Sequence, residues 1–305
     1  MDMISGLRYA AAEQKAKKEA EEAEAKAKLL ADAATAIDTS AVPRYDEMFR
    51  LDGKVFIVVG GGNGMGRQTT HGLSQLGAKV VCVDILPDRA AAVAAETGAL
   101  ALEADPRERS EAVRIVDTTA AEYGRVDGVV DIVGIARWAK LLETTEDDWD
   151  FVHGMCLKHA YQMIYAAAPV MAKTGGGPMT FVASIDGTIA AAMHAPYGAA
   201  KAGLLNLVRT AAIELGPLKI RVNAVCPGPT ATPRVLAMSG GKMAASPAEG
   251  GSFYIPMGEV NATSDIASAL LFLSSPLSRL ISGQAITVDG GGTNLVYDID
   301  KIPGM

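Results

Sequence analysis

The sequence predicts one doubly wound α/β domain, a seven-stranded parallel sheet with helices on both faces, behind an N-terminal helical extension. Two observations predict it. From Lys54 onward, short apolar runs alternate with longer stretches of helical pattern. Strands that are apolar throughout need cover on both faces, which a parallel sheet flanked by helices provides. The first of these runs also leads directly through the segment "GGGNGMG" into a helix. The expected division is an extension and linker over 1–50 and one sheet domain over 51–305, with no repeat and no second domain.

Bulk properties narrow the possible functions. A chain of 305 residues, 49% apolar and 21% charged, has the composition of a folded globular protein. A net charge of −7, with no basic stripe outside the mixed-charge N-terminus, argues against nucleic acid as a partner. No apolar run is long enough to span a membrane, and the N-terminus lacks the apolar stretch of a signal peptide. Cys82, Cys156 and Cys226 are dispersed in apolar segments, so no disulfide framework is expected, and the cytoplasm is the expected location. His71, His153, His159 and His194 are scattered, so no metal site is expected. Plain burial or exposure is favoured for His153 and His159.

The elements follow in order. Residues 8–37, rich in alanine, glutamate and lysine without Gly or Pro, predict a helix. Glu13–Lys17, Glu22–Lys26 and Glu24–Lys28 support it as i,i+4 pairs in the favourable order. Its weak apolar stripe favours a solvated tail over an arm docked on another subunit. A linker, "DTSAVPRYDEMFRLDG", follows. The strands are "KVFIVVG", "KVVCVDI", "ALALEA", "VDGVVDIVG", "PMTFVAS", "IRVNAVCP" and "QAITVDG". Helical stretches such as "GRQTTHGLSQLG", "RSEAVRIVDTTAAEYG" and "AGLLNLVRTAAIELG" separate them.

In the glycine segment, Gly60, Gly64 and Gly66 allow a tight turn, close approach of a pyrophosphate, and close packing of helix on strand. The helix start then offers free N–H groups and the positive end of its dipole to phosphates. Asn63 and Met65 lie between the glycines and count with them as cofactor-binding candidates. Glycines also mark ordinary turns, but here the strand–loop–helix context is the one the motif requires. Asp84 ends the second strand, where a carboxylate accepts hydrogen bonds from ribose hydroxyls and repels a 2′-phosphate. Neither Asn63 nor Ile85 is basic, so no phosphate clamp is apparent and NAD is expected over NADP.

The segment "YGAAK" places Tyr197 and Lys201 one helical turn apart, thirteen residues after Ser184. By itself such a pair decides nothing. Together with the glycine loop, "RVNAVCPGPTAT" and "ITVDGGG", however, it resembles the short-chain dehydrogenase/reductase family from about Leu51 to Gly291. The resemblance implies a Rossmann domain, a catalytic set of Ser184, Tyr197 and Lys201, and hydride transfer between NAD(H) and a secondary alcohol or ketone. In this scheme Lys201 lowers the phenol's pKa and bonds the nicotinamide ribose, while Ser184 holds the substrate oxygen. The resemblance also assigns Asp105 to the adenine end, Gly134 to the last position of an Asn-Asn-Ala-Gly motif, and Thr232 to the carboxamide and phosphates. A homotetramer is expected from the same resemblance and from the two long apolar helices, "DWDFVHGMCLKHAYQMIYAAAPVMA" and the one beginning at "YGAAK".

Two positions depart from the family pattern. The motif reads "DIVG", with Asp131 for an amide that would also donate. Cys156 stands where the family usually has the asparagine of a proton relay. A thiol bonds poorly, but a backbone carbonyl survives any side chain, so an active enzyme with a modified relay is expected. The alternative from another class is an NAD-binding regulatory protein with weak turnover or none. The segment after "PGPTATP", with Met238, Met243, Phe253, Tyr254 and Met257, suits a lid over an apolar alcohol or ketone: terpenoid, steroid-like or aryl-alkyl. Trp138, Met193 and His194 add to that side.

Overall fold

The computed structural model describes Lys17, Ala20 and Glu24, residues 41–246, Gly250 and residues 253–294. Most of the helix predicted over 8–37 lies outside the described residues; Lys17, Ala20 and Glu24 are helical and exposed. The chain divides into two compact units, Met1–Arg44 and Tyr45–Met305.

In the larger unit seven parallel strands form one sheet: β1 (Val55–Val59), β2 (Lys79–Asp84), β3 (Leu100–Glu103), β4 (Gly128–Asp131), β5 (Gly177–Val182), β6 (Ile220–Pro227) and β7 (Ala285–Val288). Their order is β3-β2-β1-β4-β5-β6-β7. All seven predicted strands are present. Strand order reverses between β1 and β4, and in such sheets the crevice beyond the strand C-termini at this point receives the ligand.

Continuous apolar runs arise in the inner strands because both of their faces are buried, as in β1 and β4, whereas the edge strands β3 and β7 are only partly covered. In β1, Ile57 and Val59 join a core with Val81, Ile115, Met163, Met171, Leu204 and Val208. Phe56 and Val58 point the other way, into a core with Leu73, Val80, Ile266, Leu270 and Leu273. The first core is covered by α3 (Arg109–Tyr123), α5 (His159–Lys173) and α6 (Ala195–Leu215). The second lies under α1 (Gly64–Gln75) and α8 (Thr263–Ser274). The remaining helices are α2 (Pro87–Thr97), α4 (Glu146–His153) and α7 (Pro233–Met238). Gly128 pairs with Phe56 across the β1–β4 ladder, and a Cβ there would strike the phenyl ring.

The structure corrects one expectation. The stretch read as a single long helix is α4, then a π-helical turn over Gly154–Lys158, then α5. A π turn takes in one extra residue, and such turns are frequent at functional sites. Here it carries Cys156 inward, where it packs with Val152, Ala200 and Tyr197. No helix among the described residues is long and apolar enough to cross a membrane.

Candidate active site

The glycine loop leaves β1 pinned to its neighbour, because the N–H groups of Gly60 and Gly61 both donate to the carbonyl of Val83, at 2.8 and 2.9 Å. Gly60 turns the chain in the left-handed region, at φ 77°. Gly66 has no room for a side chain, since a Cβ would fall on the carbonyl oxygen of Gly60. Asn63 caps α1, its side chain accepting from Gly64 N at 2.8 Å. The first-turn N–H groups beyond it have no carbonyl of their own helix to bond. Met65 contributes backbone there, while its side chain packs into the second core. This cradle fits a dinucleotide pyrophosphate: a close backbone, no side chain in the way, and a helix N-terminus behind it.

Asp84 stands behind the loop. Its carboxylate accepts from Gly62 N at 3.2 Å and Leu86 N at 3.0 Å, and each oxygen keeps a lone pair for a ribose hydroxyl. A basic residue is nearer than the sequence suggested. A side chain on Gly62 would meet Cβ and the carbonyl carbon of Arg89 as well as Asp84, so the exposed Arg89 leaves the backbone close to the loop and the acid. Asp105 lines a cavity of about 70 Å³ with Gly60, Asp84, Val133 and Met155. It is bound by Arg107, whose guanidinium hydrogen bonds hold the carboxyl below its ordinary range. Thr232 caps α7, accepting from Val235 N at 3.2 Å, and its Cβ comes within 3.8 Å of where a Gly64 side chain would start.

Four segments converge beyond the sheet's C-terminal edge. Ser184 follows β5, and its Oγ accepts from Asp186 N at 3.1 Å. Tyr197 and Lys201 lie on α6. Lys201 is buried, and its Nζ donates to the carbonyl of Val182 at 2.7 Å, 5.7 Å from the centre of the Tyr197 ring. Gly134 supplies the room, because a Cβ there would stand 3.0 Å from that Nζ and 3.9 Å from the Cys156 sulfur. The Cys156 thiol donates weakly to the Ile135 carbonyl at 3.5 Å.

Burial pushes the Tyr197 phenol well above its ordinary value. Cys156 adds to the rise, a hydrogen bond from Ser184 opposes it, and Asp186 and Cys226 raise it further. The expected lowering by Lys201 therefore does not prevail among the chain's own groups. The ammonium is spent partly on Val182, and desolvation of the phenolate dominates.

Two pairs escaped the sequence reading. Asp131 accepts from Val133 N at 3.2 Å and is paired with Nδ1 of His159 at 2.8 Å, both side chains fully buried. Asp186 is paired with Nδ1 of His194 at 2.5 Å. Of the apolar residues assigned to a lid, Met238 and Met257 are exposed, while Phe253 folds back against Gly292. Trp138 and Met193 are also exposed.

A family profile described as Enoyl-(Acyl carrier protein) reductase matches residues 60–293. The 3-oxoacyl-(acyl-carrier-protein) reductase of Thermotoga maritima is 33% identical, over 79% of this chain and 98% of its own. D-threitol dehydrogenase of Mycolicibacterium smegmatis is 32% identical, over 80% of this chain and 95% of its own. Among solved structures, a 7α-hydroxysteroid dehydrogenase complexed with NADH and 7-oxo glycochenodeoxycholic acid matches with a TM-score of 0.76 at 28% identity. That match covers 84% of this chain and 100% of the other. Likeness of this length, running through both the glycine loop and the Ser184–Tyr197–Lys201 cluster, places the chain in the short-chain dehydrogenase/reductase family.

Proposed function

We propose that the chain is an NAD-dependent oxidoreductase interconverting a secondary alcohol and its ketone. The observation that carries this reading is the convergence of Ser184, Tyr197 and Lys201 at the sheet edge that also holds the glycine loop. When bound, the nicotinamide accepts or gives the hydride. The protein's part is to place the substrate oxygen and move its proton. Ser184 already accepts from Asp186 N, so its own proton is free to donate to that oxygen or to the phenol. Tyr197 exchanges the proton with the substrate oxygen. Lys201 spends one donor on Val182 and keeps two for the nicotinamide ribose and the relay.

Asp84 supports NAD as the preferred dinucleotide, since a 2′-phosphate would meet its charge. Arg89 beside it tempers that preference. The exposed Trp138, Met193 and Met238 support a substrate with an apolar body. Tyr161 and Tyr165 on α5 and Ile213 on α6, all exposed, support assembly of copies through these helices, expected as a homotetramer. Light scattering that shows a monomer at micromolar concentration contradicts the assembly.

The raised phenol and the thiol at 156 favour a second reading, an NAD-binding protein of weak turnover. A screen of graded secondary alcohols and ketones with NAD(H) separates the two. Under the first reading Tyr197→Phe abolishes a measurable native rate while NADH fluorescence still reports binding. Near-native turnover by that variant rejects the mechanism.

A further inference from the structure

Beside Tyr197 stands a histidine–carboxylate pair that the hydride-transfer chemistry does not use. His194 immediately precedes α6, and its Nδ1 lies 2.5 Å from Oδ2 of Asp186. The imidazole centre is 3.6 Å from that of the Trp138 ring and 5.4 Å from that of Tyr197. Its other nitrogen, Nε2, is buried without a hydrogen-bond partner. Asp186 in turn donates its N–H to Oγ of Ser184, so the pair is bonded to one reacting side chain and stands beside the other.

The backbone is bent to bring this about. Met193, just before the histidine, has φ 64°, in the left-handed region that a non-glycine residue rarely occupies. The carbonyl of Met193 accepts from Ala139 N at 3.1 Å, tying the Trp138 loop to this turn. Strain of this kind persists where surrounding structure imposes it, and it clusters at ligand sites. A loop anchor needs only the Asp186 contact. It gives no reason for a second ring nitrogen buried next to the catalytic tyrosine, where a polar atom without a partner is costly.

We propose that His194, oriented by Asp186, binds a second hydroxyl of the substrate, one other than the hydroxyl being oxidised. The half-exposed Trp138 moves off the imidazole as that hydroxyl arrives. With Nδ1–H donated to Asp186, Nε2 is an acceptor in the neutral ring and a donor in the protonated ring. A hydroxyl suits both forms. A carboxylate would stand close to the Asp186 charge, and an oxo group could only accept. Because the imidazole and phenol rings are neighbours, the two hydroxyls belong on adjacent or nearly adjacent carbons. The substrate is then a diol, or the hydroxyketone it yields, on an apolar body. This inference rests on the oxidoreductase reading above.

The test is initial-rate kinetics with NAD on matched pairs: cyclohexanol and trans-1,2-cyclohexanediol, 1-phenylethanol and 1-phenyl-1,2-ethanediol, 2-butanol and 2,3-butanediol. The native protein is expected to favour the diol in kcat/KM by about tenfold or more, the scale of one buried hydrogen bond. His194→Leu should bring that ratio near one, mainly through KM, and His194→Gln, which keeps a hydrogen-bonding amide, should restore part of it. Turnover of the mono-alcohols with no diol advantage overturns the anchor alone. An unaltered ratio in His194→Leu does the same. No turnover of any pair overturns the oxidoreductase reading and the anchor with it.

Discussion

Replacing His159 with leucine tests whether the buried Asp131–His159 pair holds the centre of the fold together. Both side chains are within 1% of full burial, and Nδ1 of the imidazole sits 2.8 Å from the carboxylate. Leucine has nearly the volume of histidine, so the change opens little cavity and isolates the electrostatic effect. It leaves Oδ2 of Asp131 without its partner, with only Val133 N still bonding Oδ1. Breaking a buried pair from one side costs about 3–5 kcal/mol. At about 2–4 °C per kcal/mol for a domain of this size, the melting temperature should fall by ~6–20 °C. Asp131→Asn keeps an oxygen that accepts from the imidazole and should cost only about 1 kcal/mol, one ordinary hydrogen bond. In the double variant no buried charge is left, so its loss should fall short of the summed single losses by about 2–3 kcal/mol. Thermal and urea unfolding followed by circular dichroism give all four corners of the cycle. A loss under about 1 kcal/mol for His159→Leu, or strict additivity, refutes the reasoning.

Three further outcomes are expected. Alcohol oxidation needs the phenolate of Tyr197, and burial holds that proton on; the oxidation rate should therefore climb about tenfold per pH unit from pH 7 to 9, while ketone reduction stays level there. An oxidation profile already flat at pH 7 contradicts this. Asp84→Ser should tighten NADPH binding by about tenfold, the effect of removing one like-charge contact, and Arg89→Ala in that background should cancel the gain. Fluorescence titration reads both, and a native protein that prefers NADPH refutes the assignment of Asp84. Cys156→Asn should change kcat by no more than about threefold, because the thiol's own bond to Ile135 is weak and a backbone carbonyl serves the relay in either variant. A tenfold gain would show that the relay needs the amide.

The strands were legible because each carries its signal locally. In β1 both faces are buried, so the run itself is apolar, and the glycines after it are demanded by atoms a few residues away, as Gly66 is by Gly60. Ser184, Tyr197 and Lys201 were legible only through the family resemblance, since a strand end and one helical turn decide nothing by themselves. What stayed hidden depends on tertiary approach. The approach of Arg89 to the glycine loop was not read from the sequence, because it depends on how the start of α2 folds back beside Gly62. The π turn has no periodic signature that a 3.6-residue pattern detects, so the helix seemed continuous through Gly154. The sign of the shift at Tyr197 also depends on how deeply the ring is buried, which no spacing reveals.

The two departures from the family pattern then become one arrangement. Asp131 in place of an amide would leave a buried carboxylate short of donors, and the chain supplies one from His159, twenty-eight positions on. His159 opens α5 as soon as the π turn ends, three residues beyond Cys156. The same turn thus delivers the thiol toward Gly134 and Lys201 and the imidazole toward Asp131. An amide at 131 would need no such partner, and an imidazole at 159 facing it would keep only an ordinary hydrogen bond at Nδ1, with Nε2 buried and unbonded. Each of these residues is tolerable because of the other. Restoring the usual amide at 131 alone should therefore cost some stability, even though it returns the site to its common form.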